Sequence, residues 1–157
     1  MEKLGHMPNE EYQKWLEKLE NYCAYQERCI SEVKTKMYSL KIPSLYYPSL
    51  IESLIDNQFL DEERYVRAYM RSKVNFKKDG LEKIRFGLMK KGIKDSIIKL
   101  VFEELDQEMY QSNLTILLEK KWNTLILMNE KQEAKAKLIR FLLGKGYKYD
   151  EFKGLLK

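Results

Sequence analysis

Residues 84–93, IRFGLMKKGI, have two counterparts in the same chain, VKTKMYSLKI at 33–42 and LIRFLLGKGY at 138–147. The three segments align without gaps, and each has an apolar residue at its first and fifth positions. A spacing of about 50 residues is typical of helical repeats, in which small units stack and share a core. We therefore predict an all-α protein of three tandem three-helix units, stacked into an elongated, curved array.

The boundaries of these units follow from the positions of the aligned segments. We predict an N-terminal tail with the start of the first helix at 1–18, then units at 19–59, 60–107 and 108–157. Each unit contains a long helix rich in aromatic residues, the aligned segment, and a further apolar helical run. In the first unit Pro43 and Pro48 bracket LYYPSL at 45–50, which we expect to form a loop.

Helix boundaries in the second unit are predicted from its capping residues. Asp61, Asp79 and Asp95 each precede a helical run and are predicted N-caps. Glu82, three residues after Asp79, resembles the partner in a capping box. Gly92 is expected to end the middle helix, because glycine readily adopts the left-handed conformation of a helix C-terminus.

The stretch DEERYVRAYMRSK at 61–73 predicts an amphipathic helix. Its arginines, Arg64, Arg67 and Arg71, fall in one stripe about 60° wide. The opposite side is expected to face the core and carries Tyr65, Val66, Tyr69, Met70, Val74 and Phe76. On an isolated helix an arginine stripe is most simply a solvated face, so its meaning depends on its neighbours.

Positive charge is concentrated in the middle of the chain. Residues 64–94 carry 11 basic and two acidic groups, a net of +9, whereas the whole chain has a net charge of +5. Because this block has helical periodicity, we expect a folded positive surface that contacts phosphates or an acidic protein. The predicted contact residues are Arg64, Arg67, Arg71, Lys73, Lys77, Lys78, Lys83, Arg85, Lys90, Lys91 and Lys94.

Two residues of the second helix in this block, Lys83 and Lys90, lie together opposite its apolar stripe, with Phe86 beside them. We expect Phe86 to pack on the neighbouring helix, and an exposed aromatic contact is the alternative. The next helix ends in the acidic pair Glu103 and Glu104, which we expect to be solvated. Since these acids repel phosphates, sequence-specific readout by a helix-turn-helix is disfavoured.

The residue inventory argues against an enzyme. It contains no P-loop, GxGxxG or HExxH motif, and its single histidine, His6, lies in the predicted tail. Cys23 and Cys29 are expected to be reduced thiols, buried or half-buried, and neither a metal nor a cofactor is expected. With no apolar run of membrane-spanning length and no apolar signal-peptide core, we expect a cytoplasmic monomer that does not bind membranes.

Residues 54–93 resemble the central pattern of the RecX regulators of the RecA recombinase. The shared features are an acidic LD start, Arg64 with an aromatic after it, a basic helix end, and a helix ending in KKG before an apolar residue. The segment at 22–37 resembles the first repeat of that family through an Arg–x–x–Ser–Glu step before an apolar position, and 137–147 resembles the third. The first unit departs from the family pattern, with KIPSLYYPS where a short glycine turn is usual.

This resemblance covers about residues 19–157 and implies both a fold and a function. The implied fold is a set of tandem three-helix repeats, and the implied function is to bind the RecA filament on DNA and limit its assembly or activity. Two other functions remain open. One is a general DNA- or RNA-binding helical protein without a recombinase partner, and the other is a helical adaptor whose basic block is a solvated face.

Overall fold

The computed structural model describes residues 9–156, and its regular elements in that range are all helical. The α-helices are α1 (Asn9–Tyr25), α2 (Ile30–Ser39), α3 (Tyr47–Asp56), α4 (Glu62–Asn75), α5 (Leu81–Lys90), α6 (Asp95–Phe102), α7 (Gln107–Leu125), α8 (Lys131–Gly144) and α9 (Tyr149–Phe152). Short 3₁₀ helices lie at Ser44–Tyr46 and Lys153–Leu155. Helices α1–α3, α4–α6 and α7–α9 form the first, second and third units, so the predicted all-α repeat fold is confirmed. His6 lies outside the described residues.

The turn after the middle helix has the same backbone geometry in all three units. Lys41, Gly92 and Gly146 occupy the aligned position, and their φ angles are 59°, 80° and 101°. In each unit the next amide donates to the carbonyl five residues earlier, at 3.1, 3.2 and 3.1 Å. This is the Schellman pattern, in which glycine avoids a steric penalty at Cβ. The first unit therefore makes the same turn with a lysine.

The apolar residues form two cores. The core of the first unit contains Leu19, Cys23, Val33, Met37, Ile42, Leu50, Leu54 and Leu60. The second and third units share the other core, in which Ile84 and Leu88 of α5 belong to the same cluster as Leu138 and Leu142 of α8. Cys23 and Cys29 are both buried and unbridged, as expected, and burial raises the pKa of the Cys23 thiol to about 11.

Polar contacts join the first and second units at the start of α2. The Ile30 amide donates to Glu62 Oε2 at 2.9 Å, and Ser31 Oγ donates to the Lys91 carbonyl at 2.8 Å. These bonds satisfy one of the free amides at the helix N-terminus and connect it to both α4 and the end of α5.

The second and third units meet through backbone contacts at the start of α5. The Gly80 amide donates to the Lys145 carbonyl at 2.7 Å, and the Glu82 amide donates to the Gly146 carbonyl at 3.1 Å. Nearby, Tyr147 Oη donates to the Lys78 carbonyl at 2.6 Å. Direct backbone pairing at this point leaves no room for side chains and fixes the position of one unit against the next.

Two of the three predicted N-caps are wrong. The N-cap of α5 is Gly80, and Asp79 is instead a buried carboxylate, so Glu82 has no capping-box partner. The N-cap of α6 is Lys94, and Asp95 is already helical. Asp61 is confirmed, since its side chain accepts a hydrogen bond from the Arg64 amide at 3.1 Å.

Two predictions about apolar segments also need correction. Phe76 is 83% exposed, because α4 ends at Asn75 and the helical periodicity no longer determines where the ring points. The 45–50 segment is not a loop, since Pro48 occupies the first turn of α3, where proline is well tolerated.

Candidate nucleic-acid interface

Five of the eleven predicted basic contacts lie within ion-pair distance of carboxylates of the same chain, four of them at 3.0 Å or less and Lys83 at 3.8 Å from Asp79. Arg64 Nε lies 2.6 Å from Glu27 Oε2, and its guanidinium also donates to the carbonyl of Gln58 at 3.0 Å. Lys91 Nζ lies 3.0 Å from Glu32 Oε2. Both pairs connect the first unit to the second, so Arg64 and Lys91 are structural residues of that junction.

Arg67 makes more hydrogen bonds to carboxylates than Arg64 or Lys91 does. Its guanidinium donates two bonds to Glu104, at 2.7 and 2.8 Å, and a third to Glu63 at 2.9 Å. This bidentate pairing raises the pKa of Arg67 and lowers that of Glu104. Glu104 is therefore not simply solvated, as its position in the sequence suggested.

Arg85 is the fourth paired residue. Its guanidinium lies 2.7 Å from Asp95 Oδ1, and the bond lowers the pKa of that carboxyl group. Of the predicted arginine stripe, only Arg71 is exposed and outside any ion pair within the described part of the chain. The stripe is therefore mainly an internal ion-pair network rather than a free cationic face.

A different cationic face lies on α5. Lys83 and Lys90 are exposed, and Phe86 between them is 64% exposed instead of packing on the neighbouring helix. Lys90 Nζ lies 5.3 Å from the centre of the Phe86 ring, within range of a cation–π interaction. The favoured prediction for Phe86 is thus wrong, and the alternative of an exposed aromatic is correct.

Helix α4 supplies the opposite wall of a shallow groove beside this face. Tyr69 is half-buried there, and Lys73 Nζ lies 5.2 Å from the centre of its ring. Gly87 lets the two helices approach, because a Cβ at that position would overlap Tyr69 Oη. We call this feature the lysine groove; its lining residues are Tyr69, Lys73, Asp79, Lys83, Ile84, Phe86, Gly87 and Lys90.

Carboxylates near the lysine groove have other cationic partners. Asp79 is only 2% exposed and lies 3.0 Å from Lys145 Nζ, whereas Lys83 Nζ is 3.8 Å away. Glu82 lies 3.5 Å from Lys148 Nζ. Because the third unit neutralises these acids, the lysines of the groove are left with little compensating charge.

The other predicted contacts lie at the edges of the second unit. Lys77 is exposed, and its carbonyl accepts a hydrogen bond from Lys145 Nζ at 2.7 Å. Lys78 is half-buried with a positive φ of 55°, and Lys94 is exposed at the N-terminus of α6. The structure thus brings Lys73, Lys83 and Lys90 together in the lysine groove. Lys77, Lys78 and Lys94 lie outside it.

Sequence reasoning missed Tyr69, Gly87 and Lys145 as parts of this region. Tyr69 was assigned to the core, and Lys145 is distant in sequence from Asp79, the carboxylate that it neutralises. The one usable signal was Gly87, a glycine inside a helix with no turn to explain it.

Two family models match consecutive parts of the chain. The model described as RecX, second three-helix domain, matches residues 61–101, and the one described as RecX, third three-helix domain, matches residues 107–155. The chain belongs to the RecX family. The two matches together cover more than half of the chain and fall on the second and third units.

Curated relatives of this RecX-family chain are named "Regulatory protein RecX". The one from Clostridium acetobutylicum is 34% identical over 129 residues, which are 80% of this chain and 59% of that protein. The one from Bacillus mycoides is 28% identical over 142 residues, covering 90% of this chain and 52% of that protein. The chain therefore spans about half the length of the curated relatives it matches. Their name describes a regulatory protein family and not an enzyme.

Solved structures of RecX proteins have the same fold. RecX from Lactobacillus salivarius matches with a TM-score of 0.82 at 28% identity, covering 94% of this chain and 95% of that one. A second structure, titled regulatory protein RecX, has a TM-score of 0.83 at 22% identity and covers 90% and 70% of the two chains. Within residues 9–156, no helix has the length and apolar character needed to cross a bilayer.

Proposed function

We propose that this chain modulates a RecA-type recombinase by binding the recombinase filament on DNA and limiting its assembly or activity. The observation that carries the proposal is the lysine groove, a cationic surface with little compensating negative charge and with an exposed aromatic ring, in the second unit of a RecX-family fold. Phosphates of filament-bound DNA and acidic side chains of the recombinase are both suitable ligands for such a surface. The chain supplies no catalytic group to this process.

The fold supports binding at several points along one filament. The hydrogen bonds at the two unit junctions hold the three units in fixed relation within a single chain. Several weak contacts on a preorganised array add through effective concentration, so affinity for a filament should exceed affinity for DNA or for free recombinase. We propose that the protein acts in this way as a cytoplasmic monomer.

The direct test measures binding and activity together. Anisotropy of the labelled chain should show much tighter binding to RecA on single-stranded DNA than to either component alone. Substoichiometric protein should reduce ATP hydrolysis by the filament of the matched RecA. Equal affinity for filament and bare DNA, with unchanged hydrolysis, would contradict the proposal and favour a general nucleic-acid-binding protein.

The variant used in this test must spare the ion pairs. Reversing the charge of Arg64 or Arg67 would leave Glu27 or Glu104 without its partner and would weaken the contacts between helices. Lys83 and Lys90 are exposed, and Lys90 is in no ion pair among the described residues. Lys83 has only the longer of the two contacts to Asp79, 3.8 Å against 3.0 Å for Lys145, so its reversal leaves Asp79 with its nearer partner. Lys14 and Lys18 of α1 are exposed and in no ion pair among the described residues, and they provide a control with the same change in charge.

A further inference from the structure

The ring of Phe86 is presented to solvent between lysines rather than used in packing. We infer that the lysine groove binds single-stranded nucleic acid, with Phe86 stacking on a base and Lys73, Lys83 and Lys90 contacting the flanking phosphates. This inference deepens the proposed function and rests on it for the biological setting, since it names the ligand of the groove.

The geometry of α5 suits such a ligand. Lys83, Phe86 and Lys90 are spaced by three and four residues and therefore lie on one face of the helix. The rise of an α-helix places the two lysine backbones about 10.5 Å apart, on either side of the ring. Phe86 makes no ring–ring contact within residues 9–156, and its 64% exposure leaves it accessible to a base. Aromatic platforms flanked by cations are how proteins commonly hold single strands.

The charges around the lysine groove favour binding of a nucleic-acid phosphate backbone. The two nearest acids, Asp79 and Glu82, are engaged by Lys145 and Lys148 of the third unit. On the next helix Asp95 is engaged by Arg85. A phosphate approaching the groove therefore meets cations whose neighbouring carboxylates are already paired.

A single strand explains the ring better than the other anionic ligands do. In a duplex both faces of each base are stacked and its polar edges are paired, so a ring on a helix surface has no base face to contact. An acidic protein surface would use the lysines but would gain little from a phenyl ring that remains mostly solvated. The combination of ring and lysines is what a strand with free bases requires.

This combination occurs only in the second of the three aligned units. At the positions of Lys83, Phe86 and Lys90, the first unit has Glu32, Thr35 and Ser39, and the third has Lys137, Arg140 and Gly144. Neither of those sets contains an aromatic residue, and Lys137 is paired with Glu133 at 3.3 Å. The inferred site therefore belongs to the second unit and is not a general property of the repeat.

The test uses the full chain and fluorescein-labelled oligo(dT), with a duplex of equal length for comparison. Phe86→Ala should weaken binding to oligo(dT) by about 10-fold or more, because loss of one base–aromatic stack typically costs between about 5- and 150-fold. Phe86→Trp should retain affinity, and the oligonucleotide should quench its emission more strongly than that of the wild type, which contains Trp15 and Trp122. Tyr38→Ala removes an aromatic that is 80% exposed in the first unit and should have no effect.

The salt dependence of binding distinguishes the contribution of the Phe86 ring from that of the lysines. Replacing Lys83 and Lys90 with glutamine should reduce the log–log salt slope for the single strand by about 0.7 per lysine. Phe86→Ala should leave that slope unchanged while shifting the affinity. Because all three side chains are exposed, circular dichroism should show the same helical signal for every variant.

Several results would overturn the inference. One is that Phe86→Ala and Tyr38→Ala bind oligo(dT) with equal affinity. Another is that Phe86→Ala loses as much affinity for the duplex as it loses for oligo(dT). Wild type that binds neither oligonucleotide yet inhibits the RecA filament would show that the groove meets protein, leaving the proposed function intact. If Phe86→Ala weakens binding to oligo(dT) as expected but the wild type does not change RecA activity, the proposed function is refuted and the inference stands.

Discussion

Substituting Gly80 with alanine should separate the second and third units. A Cβ at this position would lie 2.5 Å from the amide nitrogen of Tyr147 and would overlap the carbonyl group of Gly146. Because both obstacles are backbone atoms, no change of side-chain rotamer can make room. The start of α5 must move away from the turn after α8, and the hydrogen bonds from Gly80 to Lys145 and from Glu82 to Gly146 must lengthen.

The size of the effect follows from these two losses. Inserting a methyl group into a packed contact costs about 1–3 kcal/mol. Weakening two backbone hydrogen bonds adds up to about 1 kcal/mol each. These contributions sum to about 1–5 kcal/mol, and we take the middle of that range, a fall in the free energy of unfolding of about 2–4 kcal/mol, as the expected effect of Gly80→Ala. For a chain of this length that corresponds to a fall in Tm of about 4–16 °C.

Urea and thermal unfolding followed by circular dichroism would measure this change. The matched control is Gly144→Ala at the end of α8, where a Cβ would meet no atom within 4 Å. This control should be neutral or stabilising by up to about 1 kcal/mol, because alanine is favoured over glycine in a helix. Gly80→Ala with a stability within about 0.5 kcal/mol of the control would refute the close approach of the two backbones.

Two further predictions concern a turn and an ion pair. Lys41→Gly should stabilise the chain by about 0.5–1 kcal/mol in urea unfolding, because Lys41 has a φ of 59°, which glycine adopts without a steric penalty. Gly92→Ala should destabilise the chain by a similar amount for the same reason. An unchanged stability in either variant would exclude the left-handed turn. Arg67→Gln should raise the pKa of Glu104 toward its ordinary value in an NMR titration of the carboxyl carbon, because Arg67 is the largest cause of the depression and the charge of Arg71 contributes less. Since the folded-state pKa of Glu104 is depressed, its pairing with Arg67 contributes stability above the unfolded-state pKa of Glu104 and loses it as the pH falls through the folded-state value; an unshifted Glu104 in the wild type would contradict this.

The repeat fold could be predicted from the sequence because its evidence is local. Three gapless segments with apolar first and fifth positions specify buried helix faces, and the ninth position specifies the turn. Lys41 shows that the turn geometry persists without glycine, which composition alone does not indicate. The prediction of Asp79 as an N-cap was wrong because of a tertiary contact. The third unit packs against this segment, so that Gly80 is the N-cap and the Asp79 carboxylate is buried.

The candidate site was predictable only as a region. Charge counting located the basic second unit, but it could not separate paired from unpaired cations. Arg64 pairs with Glu27 and Arg67 with Glu104, each 37 residues away in sequence, so only the fold determines which cations remain available. The exposure of Phe86 also depends on tertiary structure, because the axis along which α4 and α5 pack decides which face of α5 meets solvent.

The measurement that tests the central claim most directly is ATP hydrolysis by RecA on single-stranded DNA. It compares the wild type with two double variants of equal charge change, Lys83→Glu with Lys90→Glu and Lys14→Glu with Lys18→Glu. If the lysine groove carries the function, the wild type and the α1 variant will reduce hydrolysis equally and the groove variant, still helical by circular dichroism, will have little effect. Equal inhibition by the groove variant and the α1 variant would contradict the account.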